Sequence, residues 1–207
     1  MTTHEPVAYS IRTDRLLMRC WSHEDAPRLR TSLDRSSEHL RPWIPFMKSE
    51  PRSLEDTARW LIGRRAWFDE RTHFIYGMFT PDGSELIGEM TLQKHGFPHE
   101  FEIGYWVDIE HTGKGYGLEG SAVLTRLAFE HHAAALIEIN FASENAASGS
   151  IPRKLGYTHE GTRANRYVDC NGDRHDLDAY VLFEKDYETS PSKGYDYEPL
   201  DALGNPL

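Results

Sequence analysis

VDIEHTGKGYGLEG, residues 107–120, is the stretch that decides the fold. An apolar run, FEIGYWVDI (101–109), reads as a strand that meets glycines at 113, 115 and 117. A long amphipathic helix then starts, with Leu118, Ala122, Leu124, Leu127 and Ala128 at its apolar positions. A strand–glycine–helix junction aims unpaired backbone N–H groups and the positive end of a helix dipole at one point, which suits a pyrophosphate. Glycines let the backbone come close, and Lys114 adds a point charge. Two rival nucleotide loops fail on spacing. A P-loop needs Gly at 108 and Ser or Thr at 115, where the chain has Asp108 and Gly115. A dinucleotide fingerprint needs a third glycine at 118, where Leu118 stands. Taken alone, the glycines also read as a flexible turn.

Upstream, SIRTDRLLMRCW (10–21) reads as a first strand. Ser22 opens a helix, with Asp25 completing an acidic variant of the capping box. HLRPWIPF (39–46) is a proline-stiffened aromatic loop. Ser53 opens a second helix carrying Leu54, Ala58, Leu61, Ile62 and Trp67. HFIYGMFT (73–80), the turn Pro81-Asp82-Gly83 and LIGEMTLQ (86–93) make a hairpin. Downstream, LIEINFAS (136–143) reads as a buried strand, and a short helix runs from Asn145 to near Gly156. Two strands, about 157–169 and 175–187, are joined by a turn with Asn171-Gly172. The order β, α, α, β, β, β, α, β, α, β, β predicts an α/β chain around a single mixed, mainly antiparallel sheet flanked by about four helices. SPSKGYDYEPLDALGNPL (190–207) has no periodicity and reads as a loosely packed arm, or one ordered by a partner.

A length of 207 residues suits one domain with a substantial core. No window of 18 apolar residues suggests a membrane span, and MTTHEPVAYSIRTDR (1–15) lacks a secretory h-region. Two cysteines, Cys20 and Cys170, make neither a disulfide framework nor a cysteine zinc site. A cytoplasmic setting fits. Eleven histidines suggest no metal site, because His131 and His132 are adjacent and H-E-x-x-H is absent. A net charge of −10 argues against nucleic acid and is compatible with cationic partners, or simply with solubility.

Residues 112–117, Thr-Gly-Lys-Gly-Tyr-Gly, resemble the loop with which GNAT N-acetyltransferases hold the pyrophosphate of acetyl-CoA. Thr112 replaces the basic residue that usually leads that motif. RTDRLLMR (12–19), LRPWIPF (40–46), ELIGEMTL (85–92), FEIGYWVD (101–108), ENAASGSIPRKLGY (144–157) and EGT (160–162) extend the likeness, in order, to the RimJ/RimL-like branch. Characterised members of that branch acetylate N-termini of ribosomal proteins. The resemblance implies a GNAT-like domain over residues 1–189, followed by the arm 190–207.

Acetyl transfer to an amine needs a neutral amine, a polarised carbonyl and a proton for the departing thiolate. The resemblance implies Glu102 as base, and strand alternation puts Glu102 and Gly104 on one face, Ile103 and Tyr105 on the other. Gly104 suggests a bulge or a close backbone approach. The resemblance adds a splayed strand there, with main-chain contacts to the pantetheine arm from Trp106, Val107 and Ile109. The pyrophosphate would lie on Thr112, Gly113, Lys114, Gly115, Tyr116, Gly117 and Leu118. Asn145 reads first as a helix N-cap, and the family adds contact with the pantetheine arm. Ser148 is the implied acid, since the position eight residues after Asn145, often tyrosine in the family, is Arg153. Lys154 is a solvated helix end or a contact to the 3′-phosphate. The GTRANRY segment places Asn165 near the site where some members carry a glutamate. Trp43 and Phe46, with Pro45, read as an acceptor wall or as core.

The expectation is an acetyl-CoA-dependent N-acetyltransferase acting on the α-amine of a peptide or protein N-terminus, as a monomer or homodimer. A small-molecule amine is the rival acceptor, and a non-catalytic acyl-CoA sensor the rival class. At pH 7 roughly a tenth of an α-amine is neutral, against about one in 2,500 of a lysine, which favours the former.

Overall fold

The computed structural model describes residues 7–207, so the first six positions of the segment read as lacking a secretory signal lie outside the described residues. The chain reverses once near its start. The expected strand over 10–21 is two, β1 (Ser10–Arg12) and β2 (Leu17–Cys20), because a turn closed by the Thr13 N–H on the Leu16 carbonyl at 2.9 Å folds one back on the other. Ser22 and Asp25 form the expected capping box, which winds one 3-10 turn directly into α1 (Ala26–Arg35). After a single turn of helix, α2 (Ser37–Leu40), the aromatic loop leads to α3 (Leu54–Asp69). Ser53 caps α3, its hydroxyl accepting the Asp56 N–H at 3.0 Å.

The remaining strands are β3 (His73–Phe79), β4 (Leu86–Lys94), β5 (Glu100–Val107), β6 (Leu136–Ala142), β7 (Thr158–Val168), β8 (Arg174–Phe183) and β9 (Glu198–Leu200). Interleaved helices are α4 (Tyr116–His131), α5 (Ala146–Lys154) and the single turn α6 (Glu184–Tyr187). The strands form one nine-stranded sheet ordered β7-β8-β6-β5-β4-β3-β2-β1-β9. Among the described residues every neighbouring pair is antiparallel except β5 and β6.

Period-two alternation sends the two faces of the sheet to two cores. Met78, Met90, Leu92 and Ile103 pack with Val123, Leu124 and Leu127 of α4. Trp21, Ile75, Phe79 and Trp106 pack with Leu29 and Leu33 of α1 and Leu61 of α3. Asp108 directly follows β5 and is fully buried. It accepts from the Ser32 hydroxyl, from Arg35 Nε at 2.8 Å and from the Glu110 N–H at 3.0 Å. Those bonds fix the glycine loop that follows to α1.

Residues 190–207, expected as a loosely packed arm or one ordered by a partner, are held by the chain itself. β9 pairs with β1 (Ser10↔Leu200, Ile11↔Pro199, Arg12↔Glu198), and Glu130 of α4 accepts from the hydroxyls of Tyr187 and Tyr197. A three-residue strand containing Pro199 carries almost no sequence signal, and proline is tolerated there because the strand lies at the sheet edge.

Candidate active site

β5 and β6 are held together over only three residue pairs, Glu100↔Leu136, Phe101↔Ile137 and Glu102↔Glu138, and then part. β5 continues to Val107 on β4, and β6 continues to Ala142 on β8. A wedge opens between them, so peptide groups of the diverging segments face a gap instead of a partner strand. Backbone groups so placed require another hydrogen-bonding partner. The ladder between β4 and β5 is unbroken through Thr91↔Gly104, so the bulge considered at Gly104 is absent and the splay lies on the β6 side.

The wedge leads into a cleft of about 160 Å³. β5 supplies Ile103, Gly104 and Tyr105, β6 supplies Asn140 and Phe141, and Asn145 and Ser148 come from the start of α5. Trp43, Ile44, Pro45 and Tyr167 close the far side, and the Tyr167 hydroxyl bonds the Trp43 carbonyl across it. Phe46 does not join this wall. It packs against Trp60, ring centres 5.2 Å apart, beside the α1–α3 core.

Asn145 is the N-cap of α5, its side-chain oxygen accepting the Ser148 N–H at 3.0 Å. That cap holds Ser148 in the first turn, where its hydroxyl lies 2.8 Å from that of Tyr105. Burial pushes the Tyr105 phenol up to about 12. Arg153 is turned to Tyr180, donating from Nε at 2.8 Å.

Glu102 lies at the apex of the wedge. Its carboxylate accepts from Gln93 Nε2 at 2.9 Å and from Asn140 Nδ2 at 3.3 Å, and His95 Nδ1 stands 3.4 Å away. Asn140 Nδ2 also donates to Glu138 at 2.9 Å. The Asn140 Oδ1 atom is buried without a hydrogen-bond partner among the described residues. A donor at the rim of the cleft would satisfy it.

The glycine loop enters α4 from the other end of the wedge. Gly113 and Gly115 have φ of 72° and 83°, which a side chain would strain. Gly115 is the N-cap of α4 and has no side chain to cover the first turn. The first amide of this stretch to find an acceptor is that of Glu119, on the Gly115 carbonyl at 3.0 Å. The amides of residues 113–118 find none among the described residues. Thr112 is spent locally, its hydroxyl on the Ile109 carbonyl at 3.0 Å. Lys114 is exposed on the loop and Lys154 on the end of α5. Trp106 is buried in the core, whereas Val107 is half-buried and Ile109 exposed beside the loop.

Sequence reasoning missed the residues that fix this loop. Arg15 reaches it from the β1–β2 turn, donating from Nη2 to the Lys114 carbonyl at 3.1 Å and from Nε to Glu119 at 2.7 Å. The Thr13 hydroxyl bonds the other Glu119 oxygen at 2.5 Å. The guanidinium therefore lies beside the free amides, on the side where Thr112 provides no charge. Tyr105, Asn140 and Tyr167 were missed for the same reason: partners 38 to 124 positions away carry no periodic signal.

A protein-family signature described as an acetyltransferase (GNAT) domain matches residues 15–158. The chain is 31% identical over 180 residues to YdaF of Bacillus subtilis, provisionally named a ribosomal N-acetyltransferase, covering 84% of this chain and 94% of that protein. It is 27% identical over 154 residues to the Escherichia coli protein named [ribosomal protein uS5]-alanine N-acetyltransferase, covering 73% and 79%. Among solved structures, the ribosomal-protein-S5-alanine acetyltransferase of Vibrio fischeri superposes with a TM-score of 0.74 at 21% identity, over 86% of this chain and 98% of that one. RimL, a ribosomal L7/L12 α-N-protein acetyltransferase solved with coenzyme A, superposes with a TM-score of 0.74 at 21% identity, over 84% and 97%. At those identities the superpositions establish the fold.

Proposed function

The chain belongs to the GNAT acetyltransferase family, and from that premise we propose that it moves an acetyl group from acetyl-CoA to the α-amine of a peptide or protein N-terminus. The observation that carries the reading is the parting of β5 from β6 beyond Glu102 and Glu138. Unpaired amides at the start of α4 lie at one end, and a carboxylate and a pair of hydroxyls lie at the other. Residues of this chain fit the cosubstrate. The amides of 113–118 suit a diphosphate, with Lys114 adding positive charge and Arg15, already paired with Glu119, offering its remaining N–H donors. Peptide groups of β5 that face the wedge, around Trp106 and Val107, with the Asn145 side chain, suit the amides of a pantetheine arm. Ile109 does not join them, since its N–H donates to the Ser36 hydroxyl at 3.1 Å and its carbonyl accepts from Thr112 at 3.0 Å. Lys154 is available to a 3′-phosphate.

Acetyl-CoA, when bound, supplies an activated thioester carbonyl. In this proposal Glu102 accepts the proton of the amine, directly or through a water held with Asn140. Gln93 and His95 fix its carboxylate beside Asn140, which lines the cleft although Glu102 itself does not. A proton for the departing sulfur is available from the Ser148–Tyr105 hydroxyl pair. Trp43, Ile44, Pro45 and Tyr167 form the acceptor wall, and about 160 Å³ accommodates one amine-bearing end. A bulky folded surface would not enter.

The names of the relatives support a protein acceptor, and the net charge of −10 would attract a basic one. A side-by-side thiol-release assay against basic peptides and neutral small amines, at rising salt, tests this. The Debye length falls from about 10 Å at 0.1 M to about 3 Å at 1 M, so kcat/KM for the peptide should fall steeply and that for the neutral amine barely move. Acetylation of small amines alone would remove the peptide reading. CoA binding with no thiol release against any amine would identify a sensor instead.

A further inference from the structure

The acidic proton in the cleft belongs to Tyr105 more than to Ser148. Tyr105 rises from β5, and its hydroxyl crosses the wedge to α5, where it donates to the Ser148 carbonyl at 3.1 Å and lies 2.8 Å from Ser148 Oγ, placed to accept from it. Both side chains line the cleft. The short N-terminal turn of α5, pinned by Asn145, holds Ser148 against this phenol. A phenol ionises near 10 in water, whereas an aliphatic hydroxyl does not titrate in the accessible range. Even with burial raising it to about 12, the phenol remains the better donor, and it is fully protonated at neutral pH.

We propose that Tyr105 is the general acid of this site and that Ser148 is the relay that refills it. The proposal rests on the acetyl-CoA reading above. As the carbon–sulfur bond breaks, its electron pair passes to sulfur, and the Tyr105 O–H proton joins that pair to give the thiol. The phenolate left behind is refilled in one concerted shift: the Ser148 hydroxyl passes its proton across 2.8 Å as it takes one from water, and the hydroxide so formed is neutralised by the amine proton that Glu102 releases to solvent. The proton lost by the amine leaves through Glu102, so the balance closes with no other reactant.

The test pairs a binding readout with a kinetic one. CoA and desulfo-CoA are titrated by calorimetry into the wild type and into Tyr105→Phe and Ser148→Ala, and single-turnover thiol release is followed for each. A hydroxyl aimed at sulfur makes CoA bind about fivefold tighter than desulfo-CoA. Tyr105→Phe should bring that ratio to about one and slow thiol release about 100-fold. Ser148→Ala should keep the ratio and slow release less. Should the phenylalanine variant melt early, 3-fluorotyrosine at 105, nearly isosteric and more acidic, replaces it, and its pH profile for thiol release should move to lower pH. A wild type that transfers acetyl while Tyr105→Phe matches it within twofold in both readouts, or an unmoved fluorotyrosine profile, overturns the role of Tyr105 alone. A wild type that binds no CoA overturns the function and this role with it.

Discussion

Gly115→Asp probes the free amides at the head of α4. Gly115 has φ of 83°, and a Cβ built there meets nothing nearer than Arg15 Nη2 at 3.7 Å. The substitution therefore fits the space. Its cost to folding is the left-handed backbone, about 1–2 kcal/mol. Its cost to binding is electrostatic: a carboxylate enters the spot argued to receive a diphosphate. Two unit charges about 5 Å apart at an effective dielectric of about 20 repel by roughly 3 kcal/mol. Arg15 is close enough to neutralise part of the new charge, so the net penalty is about 1.5–3 kcal/mol, or roughly 10- to 100-fold in Kd for CoA. Gly115→Ala carries the same strain without the charge and should lose only a few-fold. Calorimetry at 0.1 M and 1 M salt should show the gap between the two variants narrowing with salt. A folded Gly115→Asp protein that binds CoA like the wild type would refute the placement of the diphosphate.

Further expectations follow from the same contacts. Glu102→Gln keeps the shape and removes proton acceptance, so kcat should fall while the KM for acetyl-CoA stays nearly constant, as steady-state kinetics would show. Glu119→Gln weakens the clamp from Thr13 and Arg15. With Arg15 about half exposed, it should cost about 1 kcal/mol, seen as a Tm lower by about 2–4 °C and a few-fold weaker CoA binding. Asp108→Asn leaves Arg35 without its buried partner and should cost about 2–3 kcal/mol, roughly 5–10 °C in Tm. Glu130 is raised by burial but lowered more by its bonds from Arg126, Tyr187 and Tyr197, so its net shift is downward. Stability from a depressed carboxylate is complete above its unfolded value and is lost as pH falls through the folded one. Hydrogen exchange should therefore show the β9 amides losing protection below about pH 4 before those of the central strands.

Much of this fold is local and so was legible. Ser22 with Asp25, Ser53 with Asp56, and Asn145 with Ser148 are caps three residues apart, and each forms as spacing requires. The glycines at 113 and 115 marked a loop before a helix, and the structure adds that both have positive φ. What the spacing could not show is long-range. The Arg15 contact to Glu119 spans 104 positions, and the Tyr105 contact to Ser148 spans 43. Phe46 and Trp43 look alike in LRPWIPF, yet one faces Trp60 and the other the cleft, because the turn beginning at Pro45 rotates them apart. β9 has three residues and a proline, and it is a strand only because β1 offers an edge.

The most direct measurement of the central claim is mass-spectrometric localisation of the transferred group. The protein is incubated with 13C-acetyl-CoA and an equimolar pair of basic peptides, one with a free N-terminus and one N-terminally blocked with lysines intact. The label should appear on the α-nitrogen of the first peptide, in step with thiol release and dependent on Glu102. Label confined to lysine side chains, or thiol release with no labelled amine, would contradict the account.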